Sequence, residues 1–235
     1  MSDQATFAKQ CIANMLATIE KAEDELARLD SFAGDGDHGA GMVRGLRAAN
    51  AAAQASDSEF ANRVVAAAGE AFTNAAGGAS GALFGMLIAT IGQNLSEQPN
   101  TENVYHAVDA GVKVVCKLGK TAVGDKTMVD TLVPFVEALG EASRQKAALV
   151  DAWTGALPAA KRGMESTADM VGKRGRSSRL GERSRGHVDP GAVSIYYLLE
   201  SVCQHAENRK FPVTIRLKAR GRAARFHSRI RGFQQ

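Results

Sequence analysis

Several familiar signatures are missing from this chain. Its three cysteines, Cys11, Cys116 and Cys203, are too few and too scattered for a disulfide framework or a zinc spacing, so they read as reduced thiols, mostly on core faces. The longest apolar stretches, such as Ala82 to Ile91, are interrupted by Gly85 and fall short of the roughly 20 residues that cross a bilayer. The opening MSDQATFAKQ lacks the basic and then apolar run of a signal peptide. Together these absences predict a cytoplasmic protein with no membrane partner. No segment sustains period-two alternation between hairpin turns, which argues against a sheet. No Gly-Lys-Ser/Thr follows a glycine-rich run and no EF-hand pattern occurs, so neither a Walker loop nor that calcium motif is present.

What is present is apolar residue at helical spacing. The chain has 235 residues, 45% of them hydrophobic, enough for a buried core. Phe7, Cys11, Met15, Ile19 and Leu26 fall four or seven apart and mark an amphipathic first helix. Similar stripes run through Met42 to Ala49, Phe60 to Phe72 (entered through a Ser56-Asp57-Ser58 cap region), Leu83 to Ile91 and Val104 to Val115. A sixth helix is predicted from about Met128 to Leu139 and a seventh over Ala147 to Val171, kinked or divided at Pro158. An eighth follows Gly191 through Val193, Tyr197 and Val202. The fold class is all-α, with about eight helices.

Charge is unevenly spread. The formal net charge is +4, but the nine lysines and arginines from residue 208 onward meet no acidic residue, which leaves 20 basic against 25 acidic residues in the body. The division predicted is a helical domain over 1–207 and a basic, mobile tail over 208–235. With Phe211, Phe226 and Phe233 the tail has the composition of a nucleic-acid binder, although solvated disorder explains it more simply.

Many of the 24 glycines gather in four connections. Each of these also carries polar residues, the pattern of ligand-contacting loops, with ordinary helix ends as the plainer reading. The first connection reads Asp30-Ser-Phe-Ala-Gly-Asp35-Gly-Asp37-His38-Gly39. Freed by Gly34 and Gly36, the carboxylates of Asp35 and Asp37 can face one centre, and Asp30 can join them from the end of the preceding helix. Three hard oxygen donors suit Mg²⁺ sharing its shell with phosphate, although spacing does not separate Mg²⁺ from Ca²⁺. An Asx turn or a helix cap explains one aspartate but not three. Gly77-Gly78-Ala79-Ser80-Gly81 precedes an apolar helix and suits a phosphate at the helix N-terminus; close helix packing is the alternative. The third and fourth connections, around Gly124-Asp125-Lys126-Thr127 and from Gly175-Arg176 to Asp189-Pro190-Gly191, add cationic groups. Arg176 reads as a phosphate contact or a surface arginine. His187 and Asp189 read as caps rather than an acid-base pair, and no residue is assigned to acid-base catalysis.

Taken in order, LDSFAGDGDHG, GGASGALFG, GDKTMVDTLVPF and GRSSRLGERSRGHVDPGA resemble the L subunit of dihydroxyacetone kinases, over about residues 1–206. The resemblance implies a closed barrel of eight antiparallel helices with the nucleotide among the loops at one end. It places Asp30, Asp35 and Asp37 on a pair of Mg²⁺ ions that bridge to the diphosphate of ADP or ATP. It places nucleotide contacts on His38, Gly39, Ala40, Gly41, Ala79, Ser80, Gly119, Met128, Arg176, Asp189, Pro190 and Gly191. Where this chain has Gly41 the family often has Asn or Thr, so a side-chain contact to phosphate is missing there. The tail after about His205 has no counterpart in the family.

The implied partners are a K subunit that holds the ketose and, where ADP is retained, a phosphohistidine M subunit that recharges it; His38 in GDGDHG leans toward that retained type. A homodimer or hetero-oligomer is implied as well. Alternatives are a kinase half for another short ketose such as erythrulose, and an ADP-loaded module that docks on a transcriptional regulator.

Overall fold

The computed structural model describes residues 3–208, and every regular element among them is helical. The α-helices are α1 (Asp3–Ser31), α2 (His38–Ala55), α3 (Ala61–Ala76), α4 (Gly78–Asn94), α5 (Thr101–Gly119), α6 (Val129–Arg144), α7 (Leu149–Ser166) and α8 (Pro190–Asn208). Two 3₁₀ segments, Thr167–Asp169 and Arg176–Ser184, lie between α7 and α8. The all-α class and the number of α-helices are as the sequence predicts. The basic segment 209–235 lies outside the described residues.

Each helix buries one stripe. In α3, Ala61, Val64, Ala68 and Phe72 are buried, and in α5 Val104, Val108, Val112 and Val115; removing such side chains from water is worth about 1.5–3 kcal/mol each for the larger ones. Every helix packs on its neighbours in sequence, and α8 returns to pack on α1, so the ring of helices closes on itself. Phe72, Phe84, Phe135, Ile19, Leu26 and Leu46 fill its interior. α3 and α4 approach most closely, because Gly69 sits against the backbone of Ala89 and Gly92 against that of Ala66. Any Cβ at either position would collide with that backbone. Cys11 is buried, and burial, followed by the neighbouring Cys203, pushes its thiol up to about 12. No disulfide forms among the described residues.

Several boundaries differ from the sequence expectation. α7 ends at Ser166 rather than near Val171, and Pro158 lies inside it without dividing it. A proline forfeits one helix hydrogen bond, and packing of α7 on both α6 and α8 outweighs that loss. α6 runs on to Arg144 and contains Pro134. The Ser56 to Ser58 segment does not cap α3 directly: Phe60 occupies the cap position without a side-chain bond, while Ser58 Oγ accepts the Phe60 N–H at 3.1 Å. No helix among the described residues is long and apolar enough to cross a membrane.

The connections α1–α2, α3–α4, α5–α6 and α7–α8 all contribute to a single cavity of about 790 Å³. Consecutive helices therefore run in opposite directions. The other three connections lie at the far end, where Lys9 Nζ donates to the Ser56 carbonyl at 2.7 Å and Thr101 Oγ1 to the Ala147 carbonyl at 2.9 Å.

Candidate functional site

The cavity begins where α1 stops. The N–H groups of Ala33 and Gly34 both donate to the Asp30 carbonyl, at 3.0 and 2.5 Å. Gly36, at φ 78°, donates its N–H to Asp30 Oδ2 at 2.9 Å. This turn brings Asp30, Asp35 and Asp37 together, with one carboxylate oxygen of each within 4.8 Å of the others. Asp37 precedes α2 at the cap position, but its side chain makes no cap bond. The cap reading thus accounts for part of Asp30's role and none of Asp37's. Arg176 completes the cluster: its guanidinium pairs with Asp35 and lies 3.5 Å from Asp37 Oδ1. Three carboxylates gathered around one positive group form a donor set that fits a hard divalent cation.

The second wall is the α3–α4 connection, which is Gly77 alone. Gly77 and Gly78 adopt φ of 72° and 67°, a region open to glycine at no steric cost. The chain reverses there and α4 begins with no side-chain cap, which leaves the first amides of the helix, beside Ala79 and Ser80, available to an anion. Ala79 and Ser80 are exposed and line the cavity.

The α5–α6 loop is held from within. Asp130, 1% exposed, accepts the N–H of Gly124 at 2.5 Å and of Thr127 at 2.7 Å, while Thr127 Oγ1 accepts the Val129 N–H at 3.2 Å. Lys126 is buried with φ 63°, and its Nζ donates to the carbonyls of Thr167 and His187, tying this loop to the α7–α8 connection. Burial lowers the Lys126 pKa, against the opposing charges of Asp189, Asp130 and Asp169. Asp125 pairs with Arg174 at 3.0 Å and Lys173 at 3.6 Å. Burial pushes its carboxyl up, but the Arg174 hydrogen bond, the Ala122 amide and the two positive charges together bring it below the usual range.

At the last connection His187 stacks on Phe32, with ring centroids 3.8 Å apart. Asp189 caps α8 by accepting the Ala192 N–H at 2.8 Å. The two do not form an acid-base pair, as the cap reading anticipates for Asp189. Burial drives the Asp189 carboxyl up to about 7 despite that amide and Lys126. His38 Nε2 meets Ser194 Oγ at 2.8 Å; burial lowers its pKa, against the raising effect of Asp30 and Asp37.

Of the residues singled out from sequence, Asp30, Asp37, His38, Gly41, Ala79, Ser80, Gly119, Met128, Arg176, Asp189, Pro190 and Gly191 all line the cavity. Asp35 joins through the carboxylate cluster. Gly39 and Ala40 are not part of the lining, and Gly39 is pressed against the backbone of α1 at Glu23. Sequence reasoning missed Asp130, although the Thr127-x-x-Asp130 spacing is a capping box. It also missed Arg44, which lines the cavity from α2 and stands outside any motif.

The DAK2 domain family model matches residues 32–204. The chain is 40% identical over 209 residues to L-erythrulose 1-kinase of Mycolicibacterium smegmatis, an alignment covering 84% of this chain and 36% of that protein. It is 34% identical to the ADP-binding subunit DhaL of the PEP-dependent dihydroxyacetone kinase of Escherichia coli, with 77% of this chain and 88% of that subunit covered. In structure it resembles the dihydroxyacetone kinase of C. freundii at a TM-score of 0.66 and 24% identity, over 85% of this chain and 34% of that one. It thus spans about a third of the length of the erythrulose kinases that it matches. A family match over most of the sequence, on a helical ring whose loops converge on one cavity, means that the chain belongs to the DAK2 domain family.

Proposed function

We propose that this chain is the nucleotide-holding component of a kinase for a short ketose. It binds ADP or ATP with Mg²⁺ through Asp30, Asp35 and Asp37 and passes a phosphoryl group to dihydroxyacetone held on a separate K component. The observation that carries the reading is a three-carboxylate cluster that shares one cavity with an uncapped helix N-terminus. Such a pair of features matches the two charges of a metal-diphosphate. A relative named as an ADP-binding subunit, and a structural neighbour solved with AMP-PNP and Mg²⁺, support it.

Phosphoryl transfer needs charge neutralisation and in-line placement more than covalent help. Bound Mg²⁺ supplies the neutralisation. The rest falls to the chain: the Gly77 to Ser80 amides hold phosphate oxygens, and Arg176, released from Asp35 and Asp37, follows the phosphate charge. Asp189 to Gly191, Gly119 and Met128 shape the nucleotide wall. His38 and Gly41 complete it from α2, with Gly39 and Ala40 supporting the turn. The unit that does this is the domain over 1–207, and the ion count in it is a pair.

A second reading has an observation of its own. Three relatives at 35–40% identity are named as erythrulose kinases, which favours a four-carbon ketose as acceptor with the same nucleotide half. One experiment separates these. Calorimetry should give Mg²⁺-dependent ADP binding, and the purified chain with ATP should phosphorylate neither ketose until a ketose-holding partner is added. The better substrate then names the acceptor, and a requirement for a phosphohistidine donor names the retained-ADP type. Turnover of either ketose by the chain alone, or an absence of Mg²⁺-dependent nucleotide binding, overturns the reading.

A further inference from the structure

We propose that Arg44 is a further phosphate-binding residue, whose guanidinium takes a non-bridging oxygen of the nucleotide's diphosphate in the space that the missing side chain of Gly41 leaves open. The inference rests on the nucleotide reading above. Asp37, Gly41 and Arg44 are four and three residues apart along the start of α2, so they share one helical stripe, and all three line the cavity. Arg44 is exposed to the cavity, and its Nη2 donates to the Ala76 carbonyl at 3.1 Å. Ala76 is the last residue of α3, directly before Gly77. The guanidinium is therefore hung between the carboxylate cluster and the uncapped start of α4, where a phosphate chain that reaches both must pass.

The neighbouring cations are already engaged by groups of the protein. Arg174 pairs with Asp125, Arg176 with Asp35, and Lys126 donates to two backbone carbonyls. Arg44 has the Ala76 carbonyl and, among the described residues, no carboxylate partner. A guanidinium presents its N–H groups as a fork that suits phosphate oxygens, and here one is used for anchoring while the rest remain for a ligand. A Cβ built on Gly41 would lie 3.8 Å from both Arg44 Nη2 and the Ala76 carbonyl. Glycine at this place keeps the approach to the guanidinium clear.

The test compares wild type, Arg44→Gln and Arg44→Lys by calorimetry with Mg·ADP and by apo melting temperature. We expect Arg44→Gln to weaken Mg·ADP binding by about tenfold or more and Arg44→Lys by less, since lysine keeps the charge but loses the fork. The apo melting temperature should stay unchanged. If wild type binds Mg·ADP and Arg44→Gln binds it equally, this proposal falls and the nucleotide reading stands. A loss of affinity matched by a fall in apo stability also overturns it, because the residue is then a packing element. A wild-type chain that binds no Mg·ADP overturns both.

Discussion

The two ends of the helical ring differ in where glycine and carboxylate gather. At the cavity end every positive-φ glycine among the described residues is found: Gly36, Gly77, Gly78, Gly124, Gly175, Gly181 and Gly186. The exposed large hydrophobics Phe32, Leu118 and Val123 sit in or beside the same connections, and Met86 lines the cavity. Carboxylates crowd together there, and α4 starts uncapped. At the far end α5 begins on an Asn100 cap whose side chain accepts the Asn103 N–H, and buried Lys9 closes the α2–α3 turn onto α1. The division is not complete: α3 and α7 start at the far end without a side-chain cap, and Asp189 caps α8 at the cavity end. Under the function proposed above, the start of α4 and the carboxylates are the groups left for a ligand.

The largest expected effect tests the ligand end alone. Asp35→Asn or Asp37→Asn should weaken Mg²⁺-dependent ADP binding about a hundredfold or more, roughly 3 kcal/mol. Both side chains are exposed, so the circular dichroism spectrum should stay unchanged. Unaltered ADP affinity in calorimetry would remove the carboxylates from the site. Asp130→Ala should strike both properties, because the buried carboxylate accepts the N–H groups of Gly124 and Thr127. Leaving those amides unpaired should cost about 2–4 kcal/mol in chemical denaturation and lower nucleotide affinity as the loop loosens. A variant that loses stability but keeps affinity would show that the loop is not part of the site.

Lys9→Met is the matching probe at the far end. It deletes the Nζ bond to the Ser56 carbonyl and should cost about 1–2 kcal/mol of stability with ADP affinity unchanged. Any loss of affinity would break the separation of the two ends.

The last effect is a slope, at most about 1.4 kcal/mol per pH unit. The Asp189 carboxyl titrates near 7 in the folded chain and at an ordinary carboxylate value when unfolded. Between about pH 4 and 7 the folded state therefore holds more protons, and stability falls as pH rises through that window. Asp189→Asn, which retains a capping oxygen, should flatten apo stability across this range. A slope that survives the substitution would assign the titration to another group.

The helical class, the buried stripes and the acidic turn were legible in the sequence because each is local. Periodicity at three and four residues states which face is buried, and Asp35-Gly-Asp37 needs only its own glycines to converge. Boundaries were less legible where packing overrode a local preference: Pro158 marks a break by itself, yet α7 continues because α6 and α8 hold it on two sides. Arg44 was not legible, since an arginine on a helix takes its role from what lies across from it, here a carbonyl 32 residues further along.

By itself, then, the sequence determined which segments are helical, which faces are buried and which connections carry glycine and charge, through short-range sterics and periodicity. Only the tertiary structure decided that four connections far apart in the chain share one cavity and that Arg176 faces Asp35 across 141 residues. The reason is physical: the closure of α8 on α1 is long-range burial of apolar surface, and that packing sets which loops meet.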